Sequence, residues 1–233
     1  MTMTVFGSSS SGNCYSLTDN KGRTLILDAG VNPKAVFKKI LPDTIEAVLV
    51  THEHGDHAKY ISVFKDYFVT VEMPTDMGGT MVADNKVREF GEFKILAFTL
   101  KHDVPCLGYL INHPELNGEP ILYATDTNGI PYSFKKLSLA MIEADYDAII
   151  LKDNMLKGTI EKSRVKRVLQ SHQSIVQAID FVEDRVRSVK HILLVHLSQD
   201  NANREDFKKR MEAATGVLTD IAVAGLSINI NSF

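Results

Sequence analysis

The chain predicts an α/β (α+β) fold, a sandwich of two β-sheets covered by helices on its outer faces. Three observations point there: two strand-rich segments are each followed by helical ones, turn signals separate short apolar runs, and His and Asp residues recur just after those runs.

The elements follow in order. Residues 4–6, 14–17 and 23–28 read as strands of a β-meander, with Asn20-Lys21-Gly22 as the hairpin turn between the last two. Asn32-Pro33 opens a helix through Lys39, because Asn offers a capping side chain and Pro the φ of a first turn. The β-branched run 45–50 predicts a buried strand, and the segment 57–64 a helix. A strand at 68–71 and a polar helix near 75 to 84 come next, then strands at 93–96, 98–100, 108–111 and 120–124, with Asn117-Gly118 as a second hairpin signal. The last third gives an apolar run at 148–151 read as a strand, a helix around 174–186, a strand at 192–195, a helix around 204–214 and a final strand at 221–224. Neither an internal sequence repeat nor a low-complexity tract is visible.

At 233 residues the expectation is one domain spanning 1–233. Hydrophobic residues at 44% and charged residues at 24% are ordinary globular values, and a net charge of -3 provides no overall positive field to draw nucleic acid. Any polyanion site must be local. The two cysteines, Cys14 and Cys106, form no metal-binding or disulfide pattern and predict buried thiols in a reducing compartment. The first residues lack a basic region and an apolar core of signal-peptide length, and no run approaches a membrane span, so a cytoplasmic location is expected.

The chemistry concentrates in Thr51-His52-Glu53-His54-Gly55-Asp56-His57, directly after the strand at 45–50. Two positions apart in extended backbone, His52 and His54 project from one face. Asp56 and His57 fall where the chain turns into a helix, and Gly55 supplies the freedom that the crowded turn requires. Imidazole and carboxylate donors together suit zinc, manganese or iron. A two-metal site needs further donors, and three more lie at strand ends: His102 after 98–101, Asp126 after 122–125, and His196 after 192–195.

This ordered pattern resembles the metallo-β-lactamase superfamily over nearly the whole chain. The resemblance implies an αββα four-layer sandwich, one metal held by His52, His54 and His102, a second by Asp56, His57 and His196, and Asp126 bridging both. Zinc is the first expectation for the two divalent ions, with manganese or iron open. Asp28, in Leu27-Asp28-Ala29-Gly30, matches a family motif where a carboxylate orients the ligands; a turn-forming Asp before Gly is the plainer reading.

Within the superfamily the details look most like the YycJ (WalJ) group, related to tRNase Z and RNase J. Phe6-Gly7-Ser8-Ser9-Ser10-Ser11-Gly12-Asn13, the segment from His102 to Tyr109, Ala124-Thr125-Asp126-Thr127 and the segment from His196 to Asn201 carry that likeness. Ser171-His172-Gln173-Ser174, read as opening a helix, resembles the segment where phosphodiesterases of this superfamily carry an extra catalytic histidine; the helix start would also favour a bound phosphate. Two departures stand out. Leu151-Lys152-Asp153-Asn154 falls where the group tends to have Glu-Ala-Asn, so the glutamate is missing from that place, and Gln173 and Ile175 replace more usual Leu and Asn. The chain is also too short for an inserted β-CASP domain. Lys152, Lys157, Lys162, Arg164, Lys166 and Arg167 form a local basic excess that suits either a phosphate backbone or a solvated face. His113 and His191 read as structural.

The reading is a dinuclear phosphodiester hydrolase with a DNA or nucleotide substrate, in which Asp56 orients the nucleophile and His172 supports the charged transition state or the leaving oxygen. The likeness implies a DNA exonuclease and leaves a homodimer open. Three rivals stand beside it: a cyclic-nucleotide phosphodiesterase of the phage anti-Pycsar type, a hydrolase of β-lactams, thioesters or lactones, and a non-enzymatic metal-stabilised binding module.

Overall fold

The computed structural model describes residues 1–67, 69–75, 80–81 and 85–232. Its first sheet holds β1 (Thr2–Gly7), β2 (Cys14–Thr18), β3 (Thr24–Leu27), β4 (Ile45–Leu49), β5 (Val71–Met73) and β6 (Thr80–Met81). Its second holds β7 (Val87–Phe90), β8 (Phe93–Leu100), β9 (Cys106–Asn112), β10 (Ile121–Ala124), β11 (Leu137–Glu143), β12 (Val189–Val195) and β13 (Thr219–Ile221). The last strand, β14 (Ser227–Asn229), returns to the first sheet beside β1. Strand order is β14-β1-β2-β3-β4-β5-β6 in one sheet and β13-β12-β11-β10-β9-β8-β7 in the other. Each sheet is antiparallel at one end and parallel at the other, with the change falling at β3/β4 and at β10/β11.

The helices are α1 (Pro33–Val36), α2 (Gly55–Ala58), α3 (Ile61–Asp66), α4 (Ala148–Leu156), α5 (Lys162–Ser171), α6 (Ile175–Arg185) and α7 (Arg204–Thr215). Three apolar layers result. Met3, Tyr15, Leu25 and Leu49 of the first sheet meet Phe93, Tyr109, Tyr123 and Met141 of the second between the sheets. Ile26 and Val48 pack outward against Val36 and Phe64, while Ile142 and Leu194 pack outward against Phe181 and Phe207. With apolar residues needed on both faces, the parallel strands read as continuous hydrophobic runs rather than alternating ones. The result is the expected αββα arrangement.

Several elements differ from the sequence reading. The helix from Asn32 stops at Val36, although Asn32 does cap it, accepting from the Lys34 amide at 3.0 Å. The segment expected as one helix from His57 is two, because the Tyr60 amide leaves the helical pattern to bond Ala29 O at 2.9 Å. β8 is one strand where two were expected. The polar helix near 75 to 84 lies largely outside the described residues, and Thr80–Met81 within it is strand. The run at 148–151 is not a strand but the start of α4: Asp147 caps it by accepting from the Ile149 and Ile150 amides, and Ile149 is 78% exposed. The strand expected there is β11, whose seven residues are all buried.

Candidate metal centre

The candidate donors sit where strands end and the backbone bends sharply. Asp28, Asp126 and His196 each follow a strand and adopt a left-handed conformation, with φ of 60°, 52° and 53°. Such values are uncommon for residues with a side chain and cost of order 1–3 kcal/mol each. Here they turn three side chains off their strands toward one place.

Every histidine of the expected set has its outward-facing nitrogen beside a partner. His57 Nδ1 donates to Asp28 Oδ2 at 2.7 Å. His52 Nδ1 lies 3.0 Å from the Thr51 hydroxyl, which itself donates to Asp28 Oδ1 at 3.0 Å. His102 Nδ1 donates to Ser171 O at 3.0 Å, and His54 Nε2 lies 3.4 Å from Asp103. His196 Nδ1 lies 3.3 Å from Glu143 Oε1. Asp28 is fully buried and also accepts from the Thr51 amide and from Tyr123 OH, so it holds these groups while its left-handed backbone makes the turn. These partners leave His52 Nε2, His54 Nδ1, His57 Nε2, His102 Nε2 and His196 Nε2 facing inward, the arrangement expected of metal-binding imidazoles.

The inward atoms gather in overlapping groups: His52, His54 and His102; Asp56, His57 and His196; and His52, His57 and Asp126. In each, the donor atoms lie within 4.8 Å of one another. Nitrogen and carboxylate donors with locked tautomers fit two divalent cations. The inward atoms also lie close to one another. His52 Nε2 lies 3.0 Å from His54 Nδ1, and Asp56 Oδ2 3.3 Å from His196 Nε2. Burial opposes the charging of His57 and His196, yet Asp126 and their other carboxylate neighbours hold both well above the ordinary histidine range. Burial and the neighbouring His57 push His52 well below it.

A second carboxylate, absent from the sequence reading, organises the other side. Glu143 ends β11, is fully buried, and accepts from His172 Nδ1 at 2.6 Å and from the Thr127 and Gln173 amides. Although burial disfavours a charged ring, Glu143 raises His172 to about 9. A buried glutamate thus stands in the run Glu143-Ala144-Asp145-Tyr146-Asp147 at the end of β11, whereas Leu151-Lys152-Asp153-Asn154 lies within α4. The sequence carried that signal, a Glu-Ala-Asp-Tyr-Asp run after apolar residues. Because β11 is buried on both faces, no alternation marks that run as the end of a strand.

His172 does not open a helix. It is the extended residue that ends α5, and Ser174 caps α6 two positions on. That helix start is closed to a phosphate by the Ser174–Gln177 capping box and by the bond from the Ile175 amide to Tyr146 O. Instead, a cavity of about 270 Å³ over the donors is walled by α5, with Arg164 and Arg167 facing His54, Asp56, Asp126, Asp145 and His172. The N-terminal Ser-Gly turn closes the other side: the Asn13 backbone amide donates to Asp56 O at 2.7 Å, its side-chain Nδ2 lies 2.9 Å from His57 Nε2, and the His196 amide donates to Ser8 Oγ at 2.9 Å.

The sequence model of the family described as "Metallo-beta-lactamase superfamily" matches residues 9–126, which contain the metal loop, His102 and Asp126. The chain belongs to that superfamily. This metallo-beta-lactamase superfamily member is 28% identical over 230 residues to exodeoxyribonuclease YycJ of Bacillus anthracis, covering 86% of this chain and 84% of the relative. It is 23% identical to exodeoxyribonuclease WalJ of Streptococcus pneumoniae, over 86% and 83% of the two chains. Among solved structures, YhfI from Bacillus subtilis superposes with a TM-score of 0.73 at 16% identity, covering 97% of this chain and 98% of that one. The short form of human tRNase Z gives 0.67 at 16% identity, covering 99% of each chain. Among the described residues of this superfamily member, no helix is long and apolar enough to cross a membrane.

Proposed function

We propose that this protein is a dinuclear metal-dependent phosphodiester hydrolase acting on DNA as an exonuclease. His52, His54 and His102 would hold one ion and Asp56, His57 and His196 the second, with Asp126 beside His52 and His57 able to serve either, and zinc is the first choice for a His-rich donor set. Two divalent ions at such a site supply charge for the phosphate oxygens and lower the pKa of an attacking water.

The observation that carries the reading is the Glu143–His172 pair at the edge of the donor cluster. Hydrolysis of a phosphodiester needs a group that supports the departing oxygen. His172 lines the cavity with its Nδ1 committed to a buried carboxylate, which fixes the ring and stabilises its charged form. Asp56, whose Oδ2 lies 3.4 Å from His57 Nε2, orients the attacking water in this reading. Arg164 and Arg167 add cations suited to phosphate. The relatives named as exodeoxyribonucleases support DNA as the substrate.

The test incubates metal-loaded protein with labelled duplex DNA, single-stranded DNA and cyclic nucleotides, with Asp56→Ala beside the wild type. Progressive release of nucleotides from DNA by the wild type, and its loss in the variant, is the expected result. Equal turnover by both sinks the metal mechanism, and cleavage of cyclic nucleotides with DNA untouched replaces the substrate.

A further inference from the structure

Three cavities meet along α5. The central one, over the donor cluster, shares Arg167 with a cavity of about 400 Å³ that also reaches His102 and Lys166. On its other side it shares Arg164 and Asn201 with a cavity of about 470 Å³ lined further by Asn154 and Thr159. The shared walls make one groove that runs along α5 and passes over the donor cluster at its middle.

The charge of the α5 side is one-sided, while Asp103 and Asp200 line the two outer cavities beside it. α5 carries Lys162, Arg164, Lys166 and Arg167 and no acidic residue. Buried Val165, packed with Leu151 and Tyr146, fixes the helix against the body of the protein and turns its cationic face outward. Arg167 pairs with Asp103 at 3.0 Å, whereas among the described residues Lys162, Arg164 and Lys166 form no ion pair. Arg164 and Arg167 lie one turn apart, about 4.5 Å along the axis, and each borders a different outer cavity. A guanidinium pairs with phosphate oxygens through a planar fork, so two of them flanking a reaction centre suit phosphates on either side of a reacting one.

From this we infer that α5 is the wall of a strand-binding groove, in which Arg164 and Arg167 hold the non-scissile phosphates flanking the scissile bond. The substrate class is a polynucleotide strand rather than a mononucleotide. The inference rests on the phosphodiesterase reading above and assigns a specificity role to residues outside the donor set.

The experiment measures binding to metal-loaded full-length protein by fluorescence anisotropy. The probes are labelled phosphorothioate dinucleotide, hexanucleotide and dodecanucleotide strands, which keep the backbone charge and resist hydrolysis, in DNA and RNA series. Affinity should rise with strand length and fall at least tenfold in Arg164→Ala/Arg167→Ala. The slope of log affinity against log salt should shrink by about 0.7 for each arginine removed. Arg164→Lys/Arg167→Lys should restore the salt slope, and equal melting temperatures show that the variants are folded. Unchanged strand affinity in the folded alanine variant, or a mononucleotide that competes as well as the dodecanucleotide, overturns the groove. Turnover of bis(p-nitrophenyl) phosphate by the wild type tests the hydrolase reading separately. Turnover with arginine-independent strand binding removes the groove alone, and arginine-dependent binding without turnover removes the hydrolase alone.

Discussion

One oxygen of Glu143 receives the Nδ1 proton of His172 at 2.6 Å and lies 3.3 Å from Nδ1 of His196. A single buried carboxylate thus orients both the proposed support for the leaving oxygen and one of the proposed metal ligands. Glu143→Gln keeps the shape but loses the charge that stabilises a protonated His172. The expected outcome is a fall in kcat of about a hundredfold, within the range of general acid–base contributions. His172→Ala should fall by a similar factor, and the double variant by little more than either, since both act through one group. Steady-state kinetics with metal content measured on each variant check this.

Asp28 gathers the His57 ring, the Thr51 amide and hydroxyl, and Tyr123 OH around one buried carboxylate. Asp28→Asn places an amide where His57 Nδ1 and Thr51 both donate, so the His57 ring loses its fixed tautomer. Metal affinity should fall 10–100-fold, the usual effect of removing such a partner. Titration of metal against a competing chelator measures it.

Among the described glycines, Gly30 makes the closest approach to the metal loop. A Cβ there would lie 1.7 Å from Asp56 O and 2.4 Å from Asp56 C, both backbone atoms that cannot swing aside. Gly30→Ala should displace the segment carrying Asp56 and His57 and destabilise the protein by about 3 kcal/mol or more. Denaturant unfolding and metal content together report it.

Asp147 caps α4 and accepts from Arg210 of α7 at 2.7 Å. Burial works against its charge, but Arg210 and the two capped amides hold its carboxyl below the ordinary 3.8. A folded-state pKa below the unfolded one means stability that is present above about pH 4 and lost as pH falls through the folded value. Asp147→Asn keeps the cap and removes the charge, so it should be less stable than the wild type by about 1 kcal/mol at neutral pH. That gap should close on acidification below pH 4, as unfolding curves at several pH values will show.

The reading of the metal loop illustrates what travels in a linear sequence. His52, His54, Asp56 and His57 are neighbours in one turn after one strand, so their donor chemistry and their spacing are both local. His102, Asp126 and His196 were legible because each follows an apolar run, and a buried sheet gathers its strand ends at one edge. The same locality made α6, α7 and most strands readable, since caps and apolar periods act over a few residues.

The tertiary structure decided the rest. β11 is buried on both faces and pairs in parallel with β10 and β12, so no alternation marked it, and Glu143 at its end met His172 only through folding. The basic run resolved into two helices, and only the packing of Val165 determined that Arg164 and Arg167 face the cavity. The sequence by itself determined which residues are candidate metal donors, because that is a property of side chains and their nearest neighbours. The fold decided which nitrogen each histidine presents and which cations overlook the site, because those depend on contacts between residues far apart in the chain.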